Sequence, residues 1–81
     1  MPRVFVREDL PKIVKISAWK RQLTPQRIWN DLYDAVKEEK GLDLRHEASA
    51  FDIKPIDVLE CRDLIDYASR LAIKRNGVHY E

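Results

Sequence analysis

The stretch from Thr24 to Gly41 constrains this chain more than any other, because it specifies a helix at both ends and on both faces. Thr24 can cap a helix through its hydroxyl, and Pro25 suits the first helical position, where no backbone N–H is needed. Ile28, Trp29, Leu32, Tyr33, Ala35 and Val36 then fall in one arc of roughly 160°. Asn30, Asp31, Asp34, Lys37 and Glu38 take the other side, and Gly41 stops the helix as a left-handed residue. A helix over 25–40 with such an arc must bury it against other elements.

A second long helix is expected over 58–75. Asp57 caps it, Glu60 three residues later makes a loose capping box, and Ile56 with Cys61 forms the hydrophobic staple. Val58, Cys61, Leu64, Ile65, Ala68, Leu71 and Ala72 share an arc of roughly 140°. Lys74 and Arg75 suit the C-terminal dipole, and Asn76-Gly77 ends the run. Between the two long helices, Asp43 caps a short helix over 44–51 with Leu44, Ala48 and Phe51 inward. Ile53-Lys54-Pro55 is then a turn. In the first 23 residues, Leu10, Ile13, Val14, Ser17 and Ala18 have helical spacing, which favours a helix over 10–21. The β-branched run Ile13-Val14-Lys15-Ile16 also suits a strand. Val4-Phe5-Val6 and Val78-His79-Tyr80 read as short strands that can pair as a terminal ribbon.

The expected fold is mainly α: a small helical domain of three to four helices, with room for a two-stranded terminal ribbon. Its two long helices pack antiparallel, with a shorter helix between them. Eighty-one residues form a single domain, 1–81, too short for a second core. A chain of this size buries only about 60% of its unfolded surface, so assembly adds useful stability. The single cysteine, Cys61, rules out an internal disulfide and fits a reducing, cytoplasmic setting. The N-terminal sequence reads as neither a signal peptide nor an anchor, and no run approaches the roughly 18 apolar residues of a spanning helix.

Charge is sorted along the chain. Residues 1–27 carry seven Lys/Arg against two acids, residues 28–66 carry eleven acids against five Lys/Arg, and residues 67–81 return to +2. The net charge of +1 conceals a basic segment followed by an acidic one, a pattern suited to charged partners.

Catalytic groupings are missing from the sequence, and no enzyme is expected. Cys61 lies on an apolar arc, where a thiol behaves as a small hydrophobe. His46 and His79 are far apart with no second cysteine, so no zinc spacing exists, and both glycines end helices rather than cradle phosphate. Asp57, Glu60, Asp63 and Asp66 fan around one helix and cannot converge on a single bond. No cofactor, metal or small-molecule substrate is called for.

Two binding readings remain. For DNA, residues 47–58 have the outline of a helix-turn-helix, with Ala48, Phe51, Ile53, Val58 and Cys61 at its small or apolar positions. Asp52 stands at the turn, where glycine is usual. Its second helix opens with Asp57, Glu60 and Asp63, which phosphates repel. Lys12, Lys15, Lys20, Arg21 and Arg27 are the better nucleic-acid surface, with Trp19 for stacking, although a merely solvated basic segment explains them more simply. For protein contact, Trp29 and Tyr33 sit at the edge of the first arc and suit interface anchors, or else complete the core. Leu59 and Ile73 interrupt the polar face of the second long helix near Asp63 and Asp66, about 21 Å apart along its axis. A protein partner or a second copy is therefore favoured over nucleic acid, and a membrane is not.

Leu32-Tyr33-Asp34-Ala35-Val36-Lys37, Gly41-Leu42 and Ile65-Asp66-Tyr67-Ala68 also carry a family likeness. With them, residues 28–71 resemble the C-terminal domains of phage antirepressor proteins, with residues 43–56 as an insertion. The resemblance implies a small regulatory module, of phage or mobile-element origin, that acts by protein contact and has no catalytic residue.

Overall fold

The computed structural model describes residues 4–80; residues 1–3 and 81 of the expected single domain lie outside the described residues. Five helices occur among them: α1 (Asp9–Arg21), α2 (Pro25–Lys40), α3 (Leu44–Phe51), α4 (Pro55–Cys61) and α5 (Ile65–Asn76). Helix α1 packs on α2 and α5, and α3 and α4 pack chiefly on each other, joined to the rest through α2 and α5. The helical class holds, with five helices in place of three or four.

Capping explains the elements that follow expectation. The Thr24 hydroxyl accepts the Arg27 N–H at 3.3 Å, Pro25 opens α2, and Gly41 closes it at φ +66°. The Asp43 carboxylate accepts the His46 N–H at 3.1 Å and starts α3. In α1 the inward residues are Leu10, Ile13, Val14, Ser17 and Ala18, all buried. Helical spacing thus overrides the strand tendency of Ile13–Ile16.

The expected helix over 58–75 is two helices. It begins three residues early: Pro55 takes the first helical position, and the Lys54 N–H donates to Asp57 at 3.0 Å. Asp57 is therefore the third helical residue and not the cap, and the Ile56–Cys61 staple does not arise. The chain then breaks at Arg62–Leu64, where Asp63 adopts φ +57° and the Leu64 N–H donates to the Leu59 carbonyl at 2.8 Å. The break has a packing cause. On an unbroken helix Leu59 would sit more than about 100° from the middle of the arc formed by Ile65, Ala68 and Ala72. With the turn at Asp63, Leu59 is fully buried alongside them.

Contacts at both ends of α5 give its direction. Tyr67 donates to Glu39 at 3.0 Å and Arg75 grips Asp31 at 3.1 Å, so α2 and α5 run antiparallel, as expected. Against α1 it runs parallel: Asp66 meets the segment before α1, and Asn76 meets Arg21 at its end. Small residues line these two helices, with Ser17 and Ala18 on α1 and Ala68, Ser69 and Ala72 on α5, all buried.

The terminal ribbon does not form; there is no strand among the described residues. The termini meet through side chains instead. Buried Asp9 accepts the Val6 N–H at 2.9 Å and the Tyr80 hydroxyl at 2.7 Å. The Phe5 and Tyr80 rings lie 6.0 Å apart, the Phe5 N–H donates to Asp66 at 2.9 Å, and Val78 is buried. Two carboxylates replace the ladder that a ribbon would have supplied.

Candidate functional site

Helix α1 is apolar on two opposite faces, and only one is used by the core. The outer face carries Lys12, Lys15, Ile16 and Trp19, which fall within about 100° of one another at helical spacing. Trp19 is 83% exposed and Ile16 37%. Lys12 and Lys15 have no ion-pair or hydrogen-bond partner among the described residues. Trp19 therefore contributes little to the core, and its indole lies in water beside the two ammonium groups.

A second exposed apolar region lies between α3 and α4. Phe51 was expected inward, from its spacing to Leu44 and Ala48, but it is 67% exposed. Cys61 was expected on the buried arc, but it is exposed. Phe51 is the last residue of α3, and Cys61 is the last of α4, where the chain turns before α5. With Ile53 and Val58 they line a cavity of about 490 Å³, flanked by Glu47 and Arg62. Those two side chains pair at 2.5 Å and tie α3 to the end of α4.

The candidate partner residues are scattered by the fold. Leu59 is fully buried and cannot meet a partner, which corrects its assignment. Ile73 is half-buried against the core. Because the helix breaks between Leu59 and Ile73, they do not share one side of it. Asp66 is engaged internally: it accepts the Phe5 N–H, and Arg70 binds its other oxygen at 2.8 Å. Asp63 is exposed at the α4–α5 turn. Trp29 and Tyr33 are half-buried and stacked with ring centroids 5.7 Å apart. Arg45 lies over Tyr33 at 5.8 Å, and burial raises the phenol's pKa. This aromatic edge is thus partly packed on the core and partly exposed.

The basic candidates divide likewise. Lys20 donates to the Gly77 carbonyl and Arg21 to Asn76 at 2.8 Å, so both help fasten α1 to the end of α5. Lys12, Lys15 and Arg27 are exposed with no such tie. His46 is exposed on α3, and His79 is exposed in the C-terminal segment.

Folding neutralises much of the sequence's charge segregation. Arg7 pairs with Asp57 and with Glu60 at 3.2 Å, Arg45 with Asp34, Lys37 with Asp43 at 3.4 Å, and Arg75 with Asp31. The Lys54 N–H and then Arg7 hold the Asp57 carboxyl below its usual pKa, and the His46 N–H and then Lys37 do the same for Asp43. On the acidic side, Asp52 and Asp63 keep no ion-pair partner among the described residues.

For DNA, the relevant unit is α3–turn–α4. Asp52 takes the left-handed conformation at φ +54°, and the Ile53 N–H returns to the Ala48 carbonyl at 2.9 Å. The turn has the sharpness such a motif needs, yet α4 has only seven residues and presents Asp57 and Glu60.

No group of three or more His, Cys, Asp or Glu among the described residues could hold a metal ion. No helix among them is long and apolar enough to cross a membrane. No family model, curated protein or solved structure matches this chain.

Proposed function

We propose that the protein is a small, non-enzymatic protein-interaction module that works from the outer face of α1. The observation that carries this reading is Trp19, 83% exposed on α1 beside Ile16 and beside Lys12 and Lys15, which have no ion-pair partner among the described residues. A protein gains nothing in stability from an indole in water, whereas tryptophan is among the residues that dominate interfaces when truncated. The lysines add steering toward an acidic partner. The likeness of residues 28–71 to phage antirepressor C-terminal domains supports a regulatory role, in which the module occludes or recruits another protein. The single cysteine fits action in the cytoplasm.

The test is co-purification from the native host with wild-type protein, Trp19→Ala and the double variant Lys12→Glu/Lys15→Glu. Both variants are expected to keep their circular dichroism spectrum and to lose the bound protein. Capture that survives both variants would rule out α1 as the contact surface.

The sharp α3–turn–α4 connection favours a second reading, a DNA-binding regulator. It predicts retention on non-specific DNA that falls steeply with salt. The carboxylates of α4 argue against it, and absence of retention at low salt eliminates it.

A further inference from the structure

The structure contains both halves of a contact that it does not make with itself. Helix α1 packs on α2 and α5, with no close backbone approach to α3 or α4 among the described residues. Trp19 is 83% exposed and is not among the residues that line the apolar groove of its own chain. We propose that the partner of α1 is a second copy of this chain, with Trp19 seated in the α3–α4 groove between Phe51, Ile53, Val58 and Cys61. This deepens the interaction reading and rests on it.

Three observations converge on that occupant. The first is size: the groove encloses about 490 Å³, within the roughly 300–1,000 Å³ that holds a compact apolar ligand, so an indole fits. The second is surface chemistry. Trp19, Phe51 and Ile53 are 83%, 67% and 39% exposed, so docking removes three large apolar groups from water at once. The third is charge. Among the described residues, Lys12 and Lys15 beside the tryptophan have no ion-pair partner, and neither do Asp52 and Asp63 of the α3–α4 unit. Of the six carboxylates from Asp43 to Asp63, Asp43, Glu47, Asp57 and Glu60 are paired within the chain, and on α1 Lys20 and Arg21 hold the end of α5. Lys12 and Lys15 on one copy thus complement Asp52 and Asp63 on another.

The surface on one copy differs from the surface it meets on the other. Two reciprocal contacts about a two-fold axis close an isologous dimer; a single, heterologous one propagates to further copies. One helix face in one groove lies at the low end of interface sizes, below about 1,200 Å², so affinity is modest and salt-sensitive.

Sedimentation of the intact protein over about 10 µM to 1 mM tests this. The mass is expected to rise above the monomer's 9.6 kDa with concentration, and to fall back at about 0.5 M salt, where screening is nearly complete. Trp19→Ala and Ile53→Asp each alter an exposed side chain and are expected to weaken assembly at least about tenfold, with helicity unchanged. Mixed in equal amounts, they form a one-to-one dimer and nothing larger, because one supplies the groove and the other the tryptophan. A wild-type protein that stays monomeric overturns the proposal. So does assembly lost in Trp19→Ala but kept in Ile53→Asp, which would mean that α1 pairs with α1. If the wild type is monomeric yet captures a host protein through Trp19, self-docking fails and the interaction reading stands; if it does neither, both fail.

Discussion

Ser69 shows how closely α1 and α5 are matched in size, and what that match costs in polarity. Its hydroxyl is buried on α5 with no hydrogen-bond partner among the described residues, whereas Ser17 on α1 donates to the Ile13 carbonyl at 2.7 Å. An unsatisfied buried hydroxyl costs about 1–3 kcal/mol. Ser69→Ala keeps the small volume and removes that cost, so urea denaturation should show a gain of about 1 kcal/mol. Ser17→Ala should not stabilise, because its hydroxyl is satisfied. Asp66 behaves in the opposite way. The Phe5 N–H, then Arg70, depress its pKa below the ordinary value of 3.8. A carboxylate whose pKa is lower folded than unfolded contributes stability that is present above the unfolded value and lost as pH falls through the folded one. Anchoring of the N-terminal segment should therefore weaken below about pH 4. Amide exchange at Phe5, corrected for its intrinsic pH dependence, should report that loss, and Asp66→Asn should reproduce it at neutral pH.

Among the elements, the division of α4 from α5 is the informative case. Asp63 alone takes the left-handed conformation there, at φ +57°. Such a backbone costs a β-branched residue roughly 1–2 kcal/mol and glycine essentially nothing. Asp63→Val should lower stability by about that amount, and Asp63→Gly should leave it unchanged or slightly raise it, both read as shifts in the urea midpoint. A continuous helix over 58–75 predicts the reverse for glycine, a loss of about 1 kcal/mol. The caps of α2 and α3 were legible in the sequence because each is a local event: Thr24, Pro25, Gly41 and Asp43 stand where they were expected, whereas Asp57, read as a cap, is the third residue of α4. The break was not legible, because the repeating apolar residues of 58–72 satisfy one helical period almost without interruption. Only Leu59 sits off that period, and its reading as an exposed contact missed the signal that it needs a turn to become buried.

At the scale of the whole molecule, the two chain ends are fastened to the body. Val78 is buried, Tyr80 donates to Asp9, and its ring meets Phe5. Burying a valine side chain contributes about 1.5–3 kcal/mol, and a hydrogen bond to a carboxylate about as much again. A chain ending at Gly77 should be less stable by about 3 kcal/mol in urea denaturation, with faster exchange at Val6. The same scale decides which exposed groups are free to act. Arg7, Arg45 and Arg75 reach carboxylates distant in sequence, Lys20 and Arg21 hold α5, and Lys12, Lys15 and Trp19 are left outward.

The sequence by itself determined that the chain is mainly helical and where α2 and α3 lie; over residues 10–21 it favoured a helix but left a strand open, a choice that only packing decided. Spacing, caps and glycine stops act within a few residues and require no knowledge of the rest. It also offered Lys12, Lys15 and Trp19, with Lys20, Arg21 and Arg27, as a basic surface for nucleic acid, and on α1 the first three lie opposite the buried arc, where they meet solvent unless another element covers them. Only the tertiary structure decided that none does. It also turned Leu59 inward, turned Phe51 and Cys61 outward, spent Asp66 on the N-terminal backbone and replaced a terminal ribbon with two carboxylates. Each of these depends on contacts between residues far apart in the chain, and neither periodicity nor net charge encodes them.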